Sequence, residues 1–135
     1  MNRSKLREKV FRLLFQAEFH DQEEFAGQQE LFFLQEEQET MSPEDSKTVS
    51  ETCDKIMEKL PKIDEMLTEK MTGWSIDRVG KVELAILRLA VYEICFDDSI
   101  PPSVSINEAV ELAKRYASEE SYSFVNGVLA KFAGE

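Results

Sequence analysis

Residues 79–96, VGKVELAILRLAVYEICF, place apolar side chains around almost the whole circumference of a helix: Val82, Leu84, Ala85, Ile86, Leu87, Leu89, Ala90, Val91, Ile94 and Phe96. A helix that is apolar all round is enclosed, by protein or by lipid. Lys81, Glu83, Arg88 and Glu93 interrupt the run, which leaves it well short of the ~18 uncharged residues of a membrane span. The pattern therefore predicts a buried central helix over 79–96, about five turns long. Its charged residues must leave the core or find partners, because an unpaired buried charge is costly.

The other elements are also helical. Leu6, Val10, Leu13, Leu14 and Ala17 recur at three- and four-residue steps and predict a first helix over 5–19. Lys5, Lys9 and Arg12 fall together on its opposite side, Phe11 and Phe15 lie between the two faces, and Arg3 and Arg7 point toward the edge of the core stripe. Phe25, Leu31, Phe32, Phe33 and Leu34 predict a second helix over 22–38. Ser42-Pro43-Glu44-Asp45 combines a cap, a first-turn proline and two acids at the positive end of a helix dipole. The third helix runs from there to about Lys59, where Pro61 ends or kinks it. A shorter helix over 61–71 closes at Thr72-Gly73, and Asp77 is an N-cap for the central helix. The prolines of DDSIPPSV predict a loop over 97–104, followed by a capping box, Ser105 with Glu108, opening a helix to about Ala117. Ser118-Glu119-Glu120 caps a last helix through Phe124, Val125, Val128, Leu129 and Phe132, in which Gly127 is read as a point where a neighbour comes close. No stretch alternates as a strand does. The fold class is all-α: one domain over 1–135, a bundle of about seven helices with the last three packed tightly around the central one.

Charge changes the picture. The net charge of −11 speaks against nucleic acid, but residues 1–15 carry +4, which leaves −15 on the rest. Such an asymmetry fits a nucleic-acid arm on an acidic body, and fits equally a solvated basic helix start beside a solvated acidic helix. Catalytic chemistry is sparse. With His20 the one histidine there is no zinc-helix motif and no Ser-His-Asp arrangement, and there is no P-loop, dinucleotide fingerprint or nucleophile elbow. Cys53 and Cys95 have no metal-ligand spacing and read as core thiols. The expectation is a protein that is not an enzyme and carries no cofactor and no metal. The basic N-terminus is not followed by an uncharged apolar region, so no signal peptide is read there, and the expected location is cytoplasmic.

WSIDRVGKVELAILRLAVYEI, followed by VSINEAVELAKRYASEESYSFVNGVLAKFA, resembles the C-terminal half of the NusB family of bacterial transcription antitermination factors. SKLREKVFRLLFQAEF is similar to that family's basic first helix. The resemblance implies a basic N-terminal helix within 1–19 and a C-terminal helical core over 74–132. It implies binding of boxA-type RNA of ribosomal RNA leaders, together with ribosomal protein S10, in an antitermination complex that helps RNA polymerase pass terminators. Carried over residue by residue, it places Arg3, Lys5, Arg7, Arg12 and Phe124 toward RNA, and Phe15, Glu83, Arg88 and Glu120 toward partner surfaces. Core packing is the alternative for Phe11, Phe15 and Phe124, and an internal pair with a carboxylate is the alternative for Arg88. Some family members form homodimers, which leaves that assembly open. The competing readings are a helical protein-interaction module with no RNA role, and the NusB-like domain that precedes RNA cytosine methyltransferase domains, for which no catalytic domain follows Glu135.

Overall fold

The computed structural model describes residues 1–18, 41–71, 73 and 75–133. The helix expected over 22–38, His20, Thr72 and Trp74 lie outside them. The chain divides into two compact units, Met1–Met57 and Glu58–Glu135. Among the described residues there are six α-helices and two short 3-10 turns, no strand, and no helix long and apolar enough to cross a membrane.

The first unit holds α1 (Arg3–Ala17) and α2 (Pro43–Glu58), whose last residue falls just past the division. Asn2 caps α1 by accepting from the Lys5 backbone N–H at 2.8 Å. Ser42 caps α2 as its sequence requires, accepting from the Asp45 N–H at 3.1 Å. The amino-terminal ammonium reaches the Asp45 carboxylate at 3.3 Å and so ties the start of the chain to the first turn of α2. Val49, Cys53 and Ile56 form the buried stripe of α2. Burial, with Asp54 nearby, pushes the Cys53 thiol up to about 12, so this cysteine behaves as a core apolar group.

The second unit begins with α3 (Leu60–Lys70), in which Pro61 sits in the first turn, where its missing N–H costs nothing. Gly73 follows with φ +83°, the left-handed geometry that glycine supplies after a helix. The Lys131 ammonium donates to the Lys70 carbonyl at 2.9 Å, satisfying one of the orphan acceptors at the end of α3. Next come a 3-10 turn (Ile76–Arg78), α4 (Lys81–Phe96), α5 (Pro102–Tyr116), α6 (Glu119–Ala130) and a closing 3-10 turn (Lys131–Ala133). Helices α4, α5 and α6 pack against one another, and α3 packs on α4. The enclosure expected for the central helix is observed: Leu84 to Leu87, then Leu89, Ala90, Val91 and Glu93 are all buried. Val82 and Ile94 are partly exposed, and Phe96 is 37% exposed, stacked on Tyr92 and under the Lys59 ammonium.

Four local expectations are corrected. Asp77 lies inside the 3-10 turn, and the N-cap of α4 is Gly80. Helix α5 begins at Pro102 rather than Ser105, because a proline with fixed φ suits the first helical turn and Pro101 serves as its extended cap. Ser105 is therefore not a cap. It lies one turn inside α5, buried, and donates to the Glu93 carboxylate at 2.8 Å. No described residue stands within 4 Å of a side chain added at Gly127, so the close neighbour expected there is absent among them.

Candidate functional site

The cations of α1 do not share one fate. Arg3 and Lys5 are exposed and Arg12 is half-buried, whereas Arg7 and Lys9 are each 8% exposed. The reason lies in the width of the buried arc. It runs from Lys9 through Leu13, Ala17, Val10, Leu14 and Arg7 to Phe11, about 200° at 100° per residue. A single stripe of that helix would have left Lys9 outside. Phe11 is in the core at 2% exposure, and Phe15 is half-buried with its ring centroid 6.4 Å from that of Phe11.

One feature of α1 was not visible in a count of charges. Its first turn contains no acidic residue and begins with Arg3 and Lys5. Cations there oppose the helix dipole, whose positive end favours anions. Helix α2 follows the usual arrangement, with Glu44 and Asp45 in its first turn. The start of α1 thus combines two exposed cations with the positive end of a dipole, and both act on an approaching anion in the same direction.

In the second unit, a groove of about 290 Å³ gathers Glu83, Glu120 and Phe124, three residues that the family resemblance singled out from two separate stretches of the sequence. Gly80, at the start of α4, brings Glu83 into place. Glu83 is the third residue of that helix, and its carboxylate folds back over the helix start. A side chain at position 80 would meet Glu83 Oε2 at 2.8 Å. The Ser121 hydroxyl, from α6, donates to the same oxygen at 3.2 Å. Phe124 stands one turn further along α6 and is half-buried, and Glu120 is exposed beside it. Arg78 also lines the groove, exposed, and its guanidinium has no hydrogen-bond or ion-pair partner among the described residues. It was not foreseen, because nothing in IDRVGK separates it from an ordinary turn residue until the groove is seen.

Arg88 faces a different neighbour. Its Nε and Nη2 donate to Asp64 Oδ1 and Oδ2 at 2.9 and 2.8 Å, a bidentate fork between α4 and α3. Burial pushes the Asp64 carboxyl up, to about 6, and the Arg88 guanidinium down. Both shifts disfavour the charged forms, so desolvation outweighs attraction and the pair fixes position more than it adds stability. Of the two roles open to Arg88, internal anchoring is the one with bonds behind it.

Among the described residues, helices joined by short turns, a cationic first helix in one unit and, in the other, an enclosed helix beside an open groove lined by carboxylates and an aromatic ring define a class of small helical proteins with surfaces for binding. The chain belongs to the NusB family, matched over residues 4–134. It is 55% identical over 133 residues to the transcription antitermination protein NusB of Agathobacter rectalis, covering 98% of this chain and 100% of that one. Among solved structures it is similar to T. maritima NusB, with TM-score 0.85 and 36% identity over 100% of this chain and 92% of that one. It is also similar to a chain in a crystal structure of the antitermination factors NusB and NusE in complex with double-stranded RNA, with TM-score 0.80 and 28% identity over 98% and 96% of the two chains.

Proposed function

We propose that this chain is a cytoplasmic transcription antitermination factor, a single NusB-type domain over residues 1–135. It binds boxA-type single-stranded RNA together with ribosomal protein S10, the NusE of antitermination complexes, and helps RNA polymerase read through terminators. Its work is binding, not catalysis. The observation that carries this reading is the family match over nearly the whole chain, which includes both α1 and the groove. The solved assembly of NusB and NusE with RNA supports the same pairing of partners.

The residues divide by chemistry. Arg3, Lys5 and Arg12 contact phosphates, with Arg7 behind them packing α1. Phosphate contacts position the strand and read little of its sequence. The Phe124 ring, half-buried at the groove, offers a face for an unpaired base. Glu83 and Glu120 offer carboxylates to a basic protein such as S10, and Phe15 adds apolar area at the edge of α1.

The test is fluorescence anisotropy of a labelled boxA-type RNA, with and without S10, over a range of salt concentrations. Binding should tighten with S10 and weaken with salt. Replacing Arg3, Lys5 and Arg12 together by Ala should flatten the salt slope by about 2, at roughly 0.7 per lost contact on a single strand. An unchanged slope in that variant would remove α1 from the RNA site. Capture of S10 with no RNA binding at any salt would leave a protein-interaction module.

A further inference from the structure

We infer that Ser121 and Gly80 are positioning residues that hold the Glu83 carboxylate ready for the protein partner, an inference that rests on the function proposed above. The hydroxyl geometry allows one proton arrangement. A serine hydroxyl has one hydrogen to donate. Ser121 uses its hydrogen on Glu83 Oε2 at 3.2 Å. In the 3.1 Å contact between the Ser118 and Ser121 hydroxyls, Ser118 must then be the donor. The Ser118 oxygen meanwhile accepts from the Ser121 backbone N–H at 3.2 Å as the cap of α6. The result is a directed chain, Ser118 to Ser121 to Glu83, that begins at a helix cap and ends on a carboxylate of another helix.

Gly80 closes the other side. Any Cβ there would press on Glu83 Oε2 at 2.8 Å and Oε1 at 3.0 Å, and the side-chain end of Glu83 would give way. The absent side chain and the donated hydrogen bond therefore select one carboxylate position. Oε1 accepts from no described residue and is left for a cationic donor of the partner. The turn that supplies Ser118 and Ser121 also opens the helix bearing Glu120 and Phe124. The partner carboxylate and the aromatic ring are consequently placed by the same two residues, in a groove both of them line.

The experiment measures S10 binding to the full chain carrying Ser121→Ala, Ser121→Thr, Gly80→Ala, Glu83→Ala or, as a control two residues further along α6 from Ser121, Ser123→Ala. Ser121→Ala and Gly80→Ala should each weaken S10 roughly tenfold, the lower end of the range for one hydrogen bond to a charged group. Ser121→Thr, which keeps the hydroxyl, should restore affinity, and Ser123→Ala should change nothing. Added to Glu83→Ala, the Ser121→Ala change should have no further effect. If Glu83→Ala weakens S10 but Ser121→Ala and Gly80→Ala do not, the positioning role is overturned and the proposed partner site stands. If Glu83→Ala leaves S10 binding unchanged, the partner site itself fails and the positioning role falls with it. Failure of Ser121→Thr to recover affinity would also overturn the role assigned to the hydroxyl.

Discussion

Helix α1 shows its first cations to solvent, whereas α4 commits Arg88 and Glu93 to neighbours in its own unit. Arg3 and Lys5 stand exposed at a helix start where they oppose the dipole. On α4, Arg88 forks onto Asp64 and Glu93 receives Ser105. Glu83 falls between these cases, with one oxygen held by Ser121 and the other open to a groove. The difference separates charges that organise the fold from charges offered outward. The useful criterion is how much of a side chain's bonding capacity is already met inside the chain, and charge sign or helix position alone does not supply it.

The sharpest way to break the comparison is to remove the partner of an internal charge. Asp64→Ala should leave the Arg88 guanidinium, 11% exposed, without its fork. Loss of one member of a fully buried pair costs about 3–5 kcal/mol. Asp64 is 29% exposed, and water screens part of the loss, so we expect about 2 kcal/mol in urea unfolding. Pairing Asp64→Asn with Arg88→Met should recover most of it, since no charge is then stranded. A loss near zero in the single variant would make this pair as weak as a surface bridge.

Acidity probes the same pair more gently. Desolvation lifts the Asp64 carboxyl from 3.8 to about 6, so between these values the folded chain binds a proton that the unfolded chain does not. Stability from this group is therefore fully present below pH 3.8 and is lost as pH rises through 6. Relative to Asp64→Asn, the wild-type chain should gain stability between pH 7 and pH 4.5. The Asp64 side-chain carbon should titrate near 6 by NMR. A midpoint at or below 4 would mean that attraction to Arg88 outweighs burial.

The enclosed helix was legible in the sequence because continuous apolar character has one physical outcome, and the caps Ser42 and Ser118 were legible because a side-chain oxygen before a helical run has one local use. Ser105 was misread for a related reason. A serine three residues before a glutamate looks like a cap, but two prolines upstream can also begin a helix, and that earlier start leaves Ser105 inside α5, bonded to Glu93. Lys9 was misplaced because residue spacing gives an angle and not the width of the buried arc. Of the site, Glu83, Glu120 and Phe124 were named through family resemblance, and their common groove needed the fold. Gly80, Arg78 and Ser121 carry no local signal, since a glycine before a helix and a serine within one are ordinary until a carboxylate from another turn is seen between them.

The smallest effect bears most directly on the exposed side of the comparison. If Arg3 and Lys5 serve the fold, replacing them should cost stability. If they serve an anion, α1 should be slightly better off without them, because each opposes the dipole at its own helix start. The Asn2 cap bonds the backbone of residue 5, so it survives a change of side chain there. Arg3→Ala with Lys5→Ala should therefore raise unfolding stability by about 0.3 kcal/mol per charge at low salt, fading as salt screens the dipole. The same variant should bind boxA-type RNA more weakly. Gain in one measurement with loss in the other marks residues held in place by what they bind, and a loss in both would make the cationic start of α1 part of the fold.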